Sequence, residues 1–134
     1  MIEAIQFTLS TPTSANRLFT GDFHKRPEYR AWIKTAGLEI IEAKSRKPFK
    51  PLPKGWFATH TRHPIGARYD IDNAEKAIHD LLVSMRITPD DRHLFSGSYT
   101  RAVDVSHGTV EVLIWAVDDP LNAETRLPLG QIQV

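Results

Sequence analysis

From Asp72 to Arg86 the chain sets Ala74, Ala77, Ile78, Leu81, Leu82 and Met85 at helical spacing, one apolar stripe on one face. A helix of this kind must cover its stripe with a second layer, and the flanking segments offer one. Ile5, Phe7 and Leu9 alternate with polar residues, so residues 3–9 read as a strand. Trp56 to Arg62, about 92–103 and about 109–117 also read as strands. Trp32, Ile33, Ala36 and Ile40 mark a second helix at about 27–43, opened by Pro27 at its first position and Glu28 in its first turn. The order strand, helix, strand, helix, strand, strand predicts an α+β fold. Its small mixed β-sheet would carry two main helices on one side, with residues 1–134 forming a single domain.

The breaks between these elements are equally marked. Asp72 and Glu75 form a D-x-x-E variant of the capping box, which opens the striped helix at Asp72. Thr88-Pro89-Asp90-Asp91 ends it, and Asp104-Val105-Ser106-His107-Gly108 reads as a hairpin loop between the last two strands. Residues 44–55 hold five cations and three prolines, which excludes a helix or a central strand there. That segment is expected to be a loop or arm, with Phe49 offered for stacking on a base. Trp32 falls on the apolar stripe of its helix and is expected in the core, whereas Trp56 and Phe57 stand at a strand start that assigns neither.

The net charge of +1 hides a division along the chain. Residues 17–68 carry twelve Lys/Arg against four acids, a balance of +8. Residues 69–134 carry five against eleven, a balance of −6, and residues 1–16 add only Glu3. A phosphate-binding surface beside a cation-binding cluster needs this arrangement, although two solvated faces of opposite sign would produce it too.

The acidic half contains the candidate chemistry. Asp70-Ile71-Asp72 sets two acids two residues apart, and in an extended chain both would face one side. Two hard oxygen donors suit Mg²⁺ or Mn²⁺, which keep water or phosphate in their remaining positions. A third acid from a distant segment would complete such a site, and Asp90-Asp91 follows the helix. At about 100° per residue, Lys76 lies about 40° from Asp72 on the same helix face. There it would stabilise negative charge on a phosphate. Each residue also has an ordinary structural explanation: Asp72 as an N-cap, the 72/76 and 76/80 spacings as surface pairs, Asp90-Asp91 as a turn.

Other chemistries find little support. With no cysteine, disulfides, thiolate metal sites and cysteine nucleophiles are excluded. No apolar run approaches the length of a membrane span, and the N-terminus lacks the pattern of a signal peptide, so an intracellular protein is expected. His60-x-x-His63 is not in the geometry of a zinc protease, and there is no P-loop, dinucleotide fingerprint or G-x-S-x-G elbow, so no organic cofactor is expected.

The stretch Asp70-Ile71-Asp72-Asn73-Ala74-Glu75-Lys76-Ala77-Ile78-His79-Asp80, followed by Ile87-Thr88-Pro89-Asp90-Asp91, resembles the RusA family of Holliday-junction resolvases. That family's pattern is D-[LI]-D-N-x-x-K-x-x-x-D, a short helix, then a D-D pair. Pro12-Thr13-Ser14-Ala15-Asn16-Arg17 is similar to its early P-x-S-x-N-R loop. The resemblance implies a homodimeric, Mg²⁺- or Mn²⁺-dependent endonuclease that nicks four-way DNA junctions symmetrically. Such a protein would be of bacterial, phage or prophage origin, cytoplasmic and nucleoid-associated. It implies Asp70, Asp72 and Asp91 as metal-binding acids and Lys76 as the family's lysine. The family's basic run before D-x-D is reduced here to Arg68. The expected DNA contacts are Asn16, Arg17, Lys25, Arg26, Lys47, Lys50, Arg68 and Asn73. Two competing readings keep the charge pattern without the chemistry: a non-catalytic nucleic-acid-binding module, and a regulatory protein whose basic arm meets an acidic partner.

Overall fold

Strand β2 (Ile5–Ser10) buries Ile5, Phe7 and Leu9 and exposes Gln6 and Thr8, the period-2 pattern of a half-buried strand. It belongs to a computed structural model that describes residues 2–12, 27–118 and 132–133. β2 pairs antiparallel with β5 (Thr109–Ala116), β5 pairs antiparallel with β3 (Phe57–Pro64), and β3 pairs parallel with β4 (Leu94–Ala102). The order β2-β5-β3-β4 makes a four-stranded mixed sheet. A short β1 (Ile2–Glu3) pairs in parallel with β6 (Ile132–Gln133).

Both helices, α1 (Pro27–Arg46) and α2 (Ile71–Ser84), cover one face of that sheet. Phe7, Leu9, Val110, Val112 and Ile114 meet Tyr29, Trp32, Ala36 and Ile40 from α1 and Ala74, Ala77, Ile78, Leu81 and Leu82 from α2. The α+β class and the two-helix layer expected from the sequence are therefore present. Polar bonds fix α1 against the end of β2: Trp32 Nε1 donates to the Ser10 carbonyl at 2.7 Å, and the Ser10 N–H and hydroxyl donate to Glu39 at 2.9 Å each. Burial beside the Asp80 carboxylate pushes the Tyr29 phenol up to about 12.

The hairpin expected at 104–108 is absent, because β4 and β5 are not neighbours. The reason lies in their side chains. Val112, Leu113, Ile114 and Trp115 are all buried, so β5 needs neighbours and cover on both faces and takes a central place. β4, with Ser96, Gly97, Ser98 and Thr100, tolerates the edge. Its parallel pairing to β3 is the product of a helical crossover through α2. Two smaller differences concern the arm. α1 continues to Arg46, three residues past the expected end, and its last turn holds Lys44 and Arg46, favourable at a helix C-terminus. Phe49 is not a free stacking surface: it stacks on Phe7 at 6.3 Å, with Lys44 Nζ 5.8 Å from its ring centre.

Gly37 lies inside α1, where a Cβ would meet only Met85 Sδ at 3.8 Å, an ordinary contact. Gly37→Ala is expected to raise stability by about 0.5–1 kcal/mol through helix propensity. A lower urea midpoint for the variant than for the parent would contradict this packing.

Candidate functional site

The backbone at Asp70 (φ −70, ψ 113) is extended, and Ile71 starts the helix, so Asp70 and not Asp72 is the N-cap of α2. Its carboxylate accepts the Asn73 N–H at 3.3 Å. The N-cap thus lies two residues before the position that the capping-box pattern gives it. Burial explains the shift: Ile71 is 7% exposed, and making it the first helical residue carries it into the core. Asp72 consequently sits in the first turn, where its charge suits the helix dipole. The two acids do not share a face by strand alternation, since Asp70 is extended while Asp72 is already helical. Asp70, Asp72, Asn73 and Lys76 are all exposed at this end of α2.

The loop carrying Asp70 is tied to β4. The Ile65 N–H donates to the Ala102 carbonyl at 3.0 Å, and Arg101 Nη1 donates to the Ala67 carbonyl at 2.7 Å. Exposed Arg68 belongs to the same loop, so Arg68, Lys76 and Arg101 are carried by the elements that meet at the N-terminus of α2, whose own dipole favours an anion. Asp91 occupies the other end of the crossover, in a 3-10 turn (Asp91–His93) just before β4. Asp90 caps that turn by accepting the Arg92 N–H at 3.0 Å, while Asp91 is exposed. The 14 residues of α2 separate the two ends by about 21 Å. One copy of the chain therefore does not bring Asp91 to Asp70 and Asp72. Among the described residues no three His, Asp or Glu side chains are grouped to hold a metal ion.

No family model matches the chain, and no curated protein matches it significantly.

The expected DNA contacts divide in the same way. Arg68 and Asn73 lie at the Asp70 end, and Lys47 and Lys50 are exposed on the segment after α1. Asn16, Arg17, Lys25 and Arg26 lie outside the described residues.

Beneath the Asp70 loop is a polar network that the sequence pattern did not single out. Thr61 Oγ1 donates to both Glu75 oxygens, at 2.7 and 2.8 Å. Its single proton is thereby used, so at 3.1 Å from His63 Nε2 it can only accept. Nε2 then carries the proton, with Glu75 Oε2 also 3.3 Å away. Nδ1 on the other side of the ring lies 2.7 Å from the Tyr69 hydroxyl. Burial pushes the Tyr69 phenol up to about 12, with Arg101 opposing and Glu75 adding to the shift, so the phenol stays protonated. A parallel contact joins Thr59 Oγ1 to His79 Nε2 at 3.0 Å. The signal was present: Thr59, Thr61 and His63 alternate on one strand face, and Glu75 and His79 stand one helical turn apart.

His60 and His63 point to opposite faces of β3, which rules out the pair as common ligands. His60 is 2% exposed, contacting Ser98 Oγ at 2.7 Å and Thr100 Oγ1 at 3.2 Å. Beyond it Arg62 pairs with Glu111 at 2.7 Å and with Asp104.

Two predictions follow from these contacts. Glu75→Ala leaves the Thr61 hydroxyl and His63 Nε2 without their charged acceptor and should cost about 2–3 kcal/mol, whereas exposed Asp72→Ala should cost under about 1. Equal urea midpoints for the two variants would be inconsistent with the network. For His60, burial lowers the pKa in the fold, with Glu75 opposing and Arg62 and His63 adding to the fall. The unfolded state then binds more protons, so stability falls as pH drops below about 6.5. His60→Gln should flatten that acid-side slope; an unchanged slope would assign the acid sensitivity elsewhere.

Proposed function

We propose that the chain is a divalent-metal-dependent endodeoxyribonuclease acting on branched DNA, and that it works as a homodimer. The observation that carries this reading is the group at the start of α2. Asp70, Asp72, Asn73 and Lys76 are exposed together there, with Arg68 and Arg101 beside them. Carboxylates for a cation and cations for a phosphate are thus adjacent, at the positive end of a helix dipole. The RusA-like pattern runs through these same residues and supports the same chemistry.

The donor set fits Mg²⁺, with Mn²⁺ as substitute, in one respect and not in another. Mg²⁺ commonly takes one or two protein carboxylates, and Asp70 and Asp72 would supply them. When bound, the ion would acidify a water and neutralise charge at the scissile phosphate. Asp91 of the same copy does not reach that point. Dimerisation would remove the discrepancy. β4 is an edge strand of nine residues with no proline. Tyr99, within it, and Val103 and Ile65, near its end, are exposed. An unpaired edge of this kind is a template for a second strand. Antiparallel pairing of β4 with its copy would bring the start of one β4 to the end of the other. There the loop 65–70 is tied down, so the partner subunit's Asp91 would approach Asp70 and Asp72. A two-fold axis would generate two such sites, as paired nicks across a four-way junction require. The absence of a three-acid group among the described residues of one copy favours one other reading, a nucleic-acid-binding module without catalysis.

The test is cleavage of a labelled four-way junction in Mg²⁺, Mn²⁺ or EDTA, beside linear duplex of the same sequence. Asp70→Asn and Asp91→Asn should each abolish nicking while leaving junction binding within about threefold. Mixed and refolded together, the two variants should regain part of the activity, because each mixed dimer carries one intact composite site. No nicking by the parent protein would leave the binding-module reading standing. Nicking by the parent without recovery in the mixture would reject the composite site alone.

A further inference from the structure

We propose that Trp56 is a stacking platform for an unpaired nucleobase, with Lys50, Lys54, Arg86 and Arg92 bearing on the phosphates of the same strand. The proposal rests on the nucleic-acid half of the preceding reading, and not on catalysis. The chain has three tryptophans, and two are structural. Trp32 is 4% exposed with its N–H bonded to Ser10, and Trp115 is 7% exposed on the outer sheet face. Trp56 is 42% exposed although it adjoins Phe57, which is buried. Its carbonyl is engaged by the Val117 N–H at 2.9 Å, and its ring meets that of His93 at 5.9 Å, steeply inclined. The indole is therefore held at its backbone and against one neighbour while much of its surface stays in water. Gly55, at φ +129, makes the turn that delivers it, and nothing lies within 4 Å of a Cβ there, so conformation and not space selects glycine.

Two loops bring cations to this end of the sheet. The segment after α1 carries Lys50 and Lys54, and the connection from α2 to β4 carries Arg86 and Arg92. The Leu52 N–H donates to the Ile87 carbonyl at 2.9 Å and ties the loops together. All four side chains are exposed, and none is in an ion pair among the described residues. Arg86 has φ 59, in the left-handed region just past the helix, a position where glycine is cheaper. A cation stands there in spite of its backbone. Asp91 and Asp118 share this end, so the charge is mixed. An exposed aromatic face among separated cations suits a single strand, whose bases present π-faces and whose phosphates can spread. Branched DNA offers such bases where its arms open.

The experiment is a fluorescence titration of the full chain in EDTA with a thymidine 20-mer, its duplex form and polyglutamate. Acrylamide reaches Trp56 and not the two buried indoles, so protection from acrylamide reports on this residue. The 20-mer should quench and protect the exposed emission, and do so more strongly than duplex. Trp56→Ala should weaken binding of the 20-mer about tenfold, Trp56→Phe by less than about threefold, with circular dichroism unchanged in both. Unchanged affinity in Trp56→Ala, no protection at saturation, no binding of the 20-mer, or equal quenching by polyglutamate would each overturn the proposal. Protection without nicking in Mg²⁺ would fail the catalytic reading and leave the platform standing. Nicking without protection would do the reverse.

Discussion

The Glu75 carboxylate, held by Thr61 and facing His63, fixes how α2 lies on β3. A helix stripe of Ala, Ile and Leu can slide along an apolar sheet at small cost, because the hydrophobic effect is not directional. A half-buried carboxylate with defined donors resists this, since a shifted register would strip it of those donors. Thr59 with His79 and Thr61 with Glu75 form two rungs that agree on one antiparallel register. The Tyr69 hydroxyl on His63 then fixes the residue immediately before Asp70. The positions of Asp70, Asp72 and Lys76 all descend from this network.

Much of the framework could be read from residue patterns, and the failures have identifiable causes. The alternation of Ile5, Phe7 and Leu9 and the stripe from Ala74 to Met85 led to real elements, because each meets a single apolar core. The start of α2 was misread because Asp72-x-x-Glu75 satisfies the spacing of a capping box. The pattern could not show that Glu75 turns inward to β3 instead of back to the helix start. The misassigned hairpin has a similar origin. Asp104 to Gly108 has turn composition, but whether its flanking strands pair is decided by which strand must be buried on both faces. The run from Val112 to Trp115 answered that, once the parallel crossover through α2 had used the other side of β3.

The candidate site was legible as a list of residues and not as an arrangement. Asp70, Asp72 and Lys76 were named from spacing, and the structure exposes them together at one helix end. Spacing offers only the pair Asp90-Asp91, from which the family resemblance singles out Asp91, but a parallel β-α-β unit sends its two connections to opposite ends of the sheet. A residue just before β4 is separated from one just after β3 by the length of the crossover. Sequence distance gives no warning of this, because 70 and 91 are as close along the chain as neighbours in a helical hairpin would be.

That separation also gives the two ends of the crossover different chemistry. The end at Asp70 combines carboxylates with Arg68, Lys76 and Arg101, the mixture that a cation and a phosphate would share. The end at Asp91 combines exposed acids with the exposed Trp56 and a looser set of cations, better matched to an opened strand than to a closed duplex. In a single copy these ends are too far apart to act on one phosphate. Antiparallel pairing of two β4 edges would interleave them, so each composite site would have carboxylates from one copy and a base platform from the other. Chemistry and strand opening would then be coupled through dimerisation itself, and a monomer would bind an opened strand without being able to cut it. The exposed β4 edge, a liability in an isolated domain, would in that arrangement be what joins the two functions.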